Sequence, residues 1–296
     1  MKINRILLLC LCLISISSFA QKASIELNLK KGTEYKQHSA YAMKIDQNMG
    51  GQQVNMDINL NNNMSFLVTD VKGDLFTMDV KYESMIMEMT MPQMNMSYSS
   101  EAGEEADIMS QILASMKGKT FNIKMDKTGH IKEISNIDNV FSAIDDFDQI
   151  PAGQKGQIKD QLKKSFGKES FTSSMESLFA IFPNKKVAPG DTWDISNEIK
   201  TTMDLNMEGT YKYEEATAED YVISGNTKIQ SGDEPTDVNG MQMTYNMSGT
   251  MLSDIKVNKK SGWISEANLT QELSGTASAG GMEIPMNTKS TIKITD

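Results

Sequence analysis

Cysteine is almost missing from this chain. There are two in 296 residues, Cys10 and Cys12, and both fall in a stretch built like an export signal. Lys2 and Arg5 precede the apolar run Ile6 to Ile14, and Ser18-Phe19-Ala20 supplies the small residues that signal peptidase needs. Residues 1–20 are therefore expected to be a signal peptide, leaving a thiol-free mature chain from Gln21 to Asp296. Such a chain has no disulfide, no thiolate metal site and no cysteine nucleophile. Leu9 and Leu11 precede the two cysteines where a lipid-modified cysteine wants a small neighbour. No second long apolar run exists, so a membrane-spanning helix is not expected. Histidine is scarce too: only His38 and His130 occur.

Cations are outnumbered, 29 against 39 anions, and removing Lys2 and Arg5 takes the balance to about −12. That field repels phosphate backbones, so no nucleic acid partner is expected. Basic pairs such as Lys163-Lys164, Lys185-Lys186 and Lys259-Lys260 are too short to reverse it. Aromatics make up only 7% of the residues, too few for the girdles of an outer-membrane barrel.

Alternation is abundant. Val54, Met56, Ile58, Leu60, Met64, Phe66 and Val68 all take even positions, with Asn55, Asp57, Asn59, Asn61 and Asn63 on most of the odd ones, as in a half-buried strand. Tyr41, Met43, Ile45 and Met49 alternate ahead of Gly50-Gly51, which predicts a hairpin. Lys72-Gly73-Asp74 turns the chain into Phe76, Met78, Val80 and Tyr82. Period two returns from Trp193 through Met207, Met243 and Met251 to Ile294. Between these regions the period becomes helical: a short helix is predicted near 104–117, with Gly118 after it, and a helical segment over 140–183. Ser173 and Glu176 read as a capping box inside that segment.

The predicted fold is α+β, mainly antiparallel β, with two related curved sheet halves, 21–139 and 184–296, around the helical segment. The relation rests on "IKMDKTGHIKEI" at Ile123, which aligns with "IKVNKKSGWISEA" at Ile255 after one insertion before the glycine. Gly32 with Tyr35 and Gly190 with Trp193 repeat as well.

Methionine is the compositional excess, 24 in all. Met85, Met87, Met89, Met91, Met94 and Met96 crowd one stretch, and Met241, Met243, Met247 and Met251 another. Three uses compete: core packing, the lining of an adaptable apolar pocket, and thioether binding of copper(I). Neither histidine joins a cluster, and methionines also occur singly wherever a strand needs an apolar residue. Packing and pocket lining are therefore preferred, with Met56, Met64, Met87, Met89, Met91, Met243 and Met247 as candidate ligand-contacting residues and no metal site. Asp204, Asn206, Glu208, Gly209 and Glu215 mimic a calcium-loop spacing, but their neighbours alternate as a strand, where that motif needs flanking helices. No catalytic motif or cofactor fingerprint is present, so a noncatalytic protein without a cofactor is expected.

The signal ending "FAQ", the early "KGTEY", "IKMDKTGHIKEI" and "FPNKKVAPGDTW" together resemble an uncharacterised family of secreted, β-rich proteins from Bacteroidota, a domain of unknown function. The resemblance implies export and a sheet-rich build, and it assigns no activity and no site residues. More distantly, long curved sheets with helices on one side look like the periplasmic lipoprotein-carrier fold, whose concave face holds acyl chains. The expected role is a periplasmic or extracellular carrier of an apolar or lipidic ligand. The alternatives are a structural module binding another cell-envelope protein and, third, copper(I) binding.

Overall fold

The computed structural model describes residues 22–296 apart from 104, 201–202, 233 and 239–240. The predicted signal peptide, Cys10 and Cys12 included, lies outside the described residues. Thirteen strands form one antiparallel sheet: β1 (Glu34–Met49), β2 (Gln52–Lys72), β3 (Leu75–Met91), β4 (Met94–Ser99), β5 (Thr120–Asp126), β6 (Ile131–Ser135), β7 (Thr192–Ile199), β8 (Leu205–Ala216), β9 (Asp220–Ser231), β10 (Thr236–Val238), β11 (Met241–Asn258), β12 (Ile264–Ala279) and β13 (Met282–Thr295). Helices α1 (Ile108–Met116), α2 (Ala152–Phe166) and α3 (Lys168–Phe179) complete the fold, with a 3₁₀ segment at Ile137–Asp146. The main strand order is β6-β5-β3-β2-β1-β13-β12-β11-β9-β8-β7. The two halves expected from sequence are thus one continuous sheet, joined where β1 pairs with β13 from His38↔Thr295 to Gln47↔Met286.

That order places β6 and β7 on opposite edges, with the helical segment carrying the chain from one to the other. Laid flat, ten inter-strand gaps would span about 48 Å, whereas the 12 residues of α3 reach only about 18 Å. Yet α3 packs against both edge strands. The sheet therefore curls into a trough, and α3 lies across its opening. Two side chains hold it there. Glu176 Oε1 accepts the Ile131 N–H of β6 at 2.8 Å, and Ser173 Oγ accepts the Lys200 N–H just past β7 at 3.0 Å. These are the residues read above as a capping box. That reading is corrected: α3 begins at Lys168 after Gly167, both residues lie inside it, and their side chains bind the two sheet edges.

The first helix is shorter than its predicted range. Asp107 caps it by accepting from both the backbone and hydroxyl of Ser110, and Gly118, at φ 71°, follows Lys117 at its end. The central segment starts earlier than predicted, at Ile137, and its first turns are 3₁₀.

Equivalent hydrogen bonds recur in the two halves of the sequence. Gly32 N–H donates to Val68 and Gly190 N–H to Tyr213, one start of each half. In the hairpin between β5 and β6, Asp126 Oδ1 accepts from the Thr128 and His130 backbone. Asn258 Oδ1 takes the same place between β11 and β12, accepting from Lys260 and Ser261. The second loop is one residue longer, before its glycine. Residues 23–29 run between these hairpins: Leu27 N–H donates to Lys127, Asn28 N–H donates to Ser261, and Ile25, Leu27 and Leu29 are buried. Trp263 packs there against Tyr35, Phe66 and Phe179, with ring centroids 4.6–5.1 Å apart. One end of the trough is therefore filled.

Burial works to raise the Asp126 pKa, but hydrogen bonds from Lys132, Thr128 and the His130 backbone outweigh it and hold the carboxyl below its ordinary range. A lowered native pKa contributes stability above the unfolded value of about 3.9 and loses it as pH falls through the native one. Asp126→Asn keeps the Oδ1 acceptor, as Asn258 does, and is expected to flatten the acid limb of a stability-versus-pH curve read by urea midpoints. An unchanged acid limb would refute that assignment.

Candidate ligand-binding cavity

The trough has two chemically opposite faces. The face turned away from the helices carries directly opposed ion pairs: Lys256 with Glu266, Lys289 with Glu272, and Lys124 with Glu133. That polarity is the inverse of a lipid-facing barrel. No helix among the described residues is long and apolar enough to cross a membrane.

Cross-strand register places the apolar residues on the inner face. One row runs Tyr98, Met87, Leu60, Tyr41, Ile292, Leu269 across β4, β3, β2, β1, β13 and β12. The next runs Met96, Met89, Ile58, Met43, Ser290, Gln271, Met251 and on to Thr227. In β3 the apolar parity changes from even to odd between Tyr82 and Met85. A bulge there absorbs one residue, so Tyr82 pairs with Met64 while Ser84 pairs with Asn63, and both runs stay inside.

Between this face and the helices lies a cavity of about 570 Å³. Its floor comes from Gln37, Ser39, Tyr41 and Met43 of β1, Leu60 and Asn62 of β2, and inner residues of β12 and β13 including Leu269, Gln271, Leu273, Ser290 and Ile292. Phe166, Phe171, Met175 and Leu178 form the roof, with Ser170, Ser174 and Ser177 between them, and Ile199, Met203 and Leu205 close one side. The serines recur at helical spacing on α3, so that helix presents small side chains where a core helix would present large ones. The cavity results from that choice.

Among the described residues, no charged one lines it. Burial pushes the Tyr41 phenol pKa up, against a lowering contribution from Ser290, so the hydroxyl stays protonated at neutral pH and donates to Met43 Sδ at 3.0 Å. Tyr98 with Met96 and Tyr245 with Met243 repeat this phenol–thioether contact between same-face neighbours two residues apart.

The seven methionines named from sequence share the inner face but do not line the cavity. Met64 and Met247 are buried in packing, whereas Met56, Met87, Met89, Met91 and Met243 are half-buried on β2, β3 and β11 outside the cavity lining. The β3–β4 hairpin pairs Met89 with Met96 and Met91 with Met94. The cavity residues that sequence reasoning missed left a signal: Gln37, Ser39, Gln271 and Ser290 are polar at positions where the alternation points inward. Among the described residues no cluster of three or more histidine, cysteine, aspartate or glutamate side chains is placed to hold a metal. His38 bonds Asn63 at 2.8 Å, and His130 sits 3.6 Å from Glu176. The calcium-like spacing falls on β8 and the residue before it.

A model of a protein family matches residues 73–264, more than half of the chain. The chain belongs to the family of unknown function DUF6263. The match takes in the helical roof and β3 to β11, and it leaves β1, β2, β13 and all of β12 but Ile264, which supply the floor, outside. No curated protein matches. Among solved structures, the chain is similar to a lipovitellin described for its lipid–protein interactions, at 9% identity and a TM-score of 0.49, over 90% of this chain and 25% of that one. The chain thus spans a quarter of that protein's length. It is also similar to an outer-membrane channel from Pseudomonas putida F1, at 5% identity and a TM-score of 0.27, over 91% and 97% of the two chains.

Proposed function

We propose that this protein is a noncatalytic carrier of an apolar or lipidic ligand, exported to the periplasm or cell exterior. The observation that carries the reading is the roughly 570 Å³ cavity between the inner sheet face and α3, within the ~300–1,000 Å³ range of small-molecule sites. Its walls are mostly apolar. Each methylene moved from water into such walls contributes about 0.8 kcal/mol, so a chain of ten carbons binds tightly without any charge pair. The half-buried methionines of the inner face extend the apolar track, and flexible thioethers suit a surface that must accept chains of differing length. Export is supported by the residue 1–20 pattern and by the lack of any cysteine after Cys12.

Purification of the native protein without detergent, followed by solvent extraction and mass spectrometry, tests the reading. About one lipid per chain is expected, or uptake to that level from a total lipid extract. A protein that emerges empty and stays empty in the extract would instead fit a structural or protein-binding module.

A further inference from the structure

Among the described residues, two side-chain carbonyl oxygens are buried and accept no hydrogen bond: Gln37 Oε1 and Asn62 Oδ1. Both side chains line the cavity floor, and Gln37 is only 8% exposed. Register makes them neighbours. Ser39 pairs with Asn62 and Gln37 with Met64, so Gln37 and Asn62 sit diagonally across β1 and β2 on one face, within reach of a single small group. A buried acceptor without a donor is costly to keep, and leucine or isoleucine fills other inner-face positions nearby, as at Leu60, Ile292 and Leu269. The remaining polar groups nearby, the hydroxyls of Ser39, Tyr41 and Ser290 and the amide of Gln271, are all uncharged.

We infer that the cavity selects an amphiphile whose polar end is uncharged and donates hydrogen bonds, a hydroxyl-bearing neutral lipid of the monoacylglycerol type, with Gln37 and Asn62 accepting from its head. This rests on the carrier reading above and specifies its ligand. A carboxylate or phosphate head would be buried without any cation in the lining to offset its desolvation. A cationic head would find no anion. A simple ester brings acceptors only and leaves both amide oxygens unpaired.

The test offers the whole mature protein an equimolar mixture of monooleoylglycerol, oleate and methyl oleate in neutral phosphatidylcholine vesicles at neutral pH, then quantifies what the re-isolated protein retains. Monooleoylglycerol is expected to be enriched about tenfold over each competitor, the scale of one or two net hydrogen bonds. The double variant Gln37→Leu, Asn62→Leu should bring monooleoylglycerol down to the level of methyl oleate. Its melting temperature should match or exceed the wild type's, because two unpaired buried groups are gone. Retention of all three lipids alike, or a preference for oleate, overturns the head-group assignment and leaves the carrier reading standing. Retention of none removes both. Should the double variant not fold, the ranking on the wild-type protein decides alone.

Discussion

Gly129→Ala is expected to lower unfolding free energy by about 2–5 kcal/mol, read as the shift of the urea midpoint at constant slope. Two costs add. Gly129 has φ 89°, a left-handed conformation that costs an L-residue about 1–2 kcal/mol. A Cβ there would also stand 2.0 Å from the Phe179 carbonyl oxygen at the end of α3. Backbone cannot rotate away as a side chain can, so overpacking of about 1–3 kcal/mol follows. Gly262, its counterpart in the second hairpin, has φ 68° and the same 2.0 Å approach, to the Glu26 carbonyl, and should behave alike. Gly73 separates the two costs: its φ is 59° with nothing within 4 Å, so Gly73→Ala pays only the conformational part. Equal losses at Gly73 and Gly129 would mean that the hairpin does not seat α3.

Ser290→Phe should abolish ligand retention, at least about tenfold, with under about 1 kcal/mol lost in stability. Ser290 is 4% exposed on the cavity floor, and a phenyl ring placed there enters empty volume that the ligand would use. Ser253, 3% exposed on β11, is the control, because it faces the packed wall beside Gly225 and Tyr211. Ser253→Phe should bear the full overpacking cost, several degrees in melting temperature. The measurement is lipid content after incubation with methyl oleate, beside a thermal melt. Full retention by a folded Ser290→Phe protein would place the ligand elsewhere.

Strands were readable because their inner residues alternate over long runs, as from Val54 to Val68 with Asn62 the one polar exception. The equivalence of the two hairpins was readable because a glycine with positive φ and an acceptor at Asp126 or Asn258 leave few alternatives for the loop. The union of both halves into one sheet was hidden, since the pairing of β1 with β13 joins residues such as Tyr41 and Ile292 that no local pattern relates. Ser173 and Glu176 misled for a related reason: their spacing suits a helix start, but their partners, Lys200 and Ile131, lie far along the chain. The cavity was least visible. Alternation reports which face turns inward, whereas what stays unfilled depends on where α3 crosses and on the small side chains at Ser170, Ser174 and Ser177.

The seam between β1 and β13 has a temporal meaning. The middle of the sheet cannot zip shut until residues 282–295 have been synthesised, so a prematurely stopped product would expose the unpaired backbone of β1 and β12, two raw edges inviting proteolysis or aggregation.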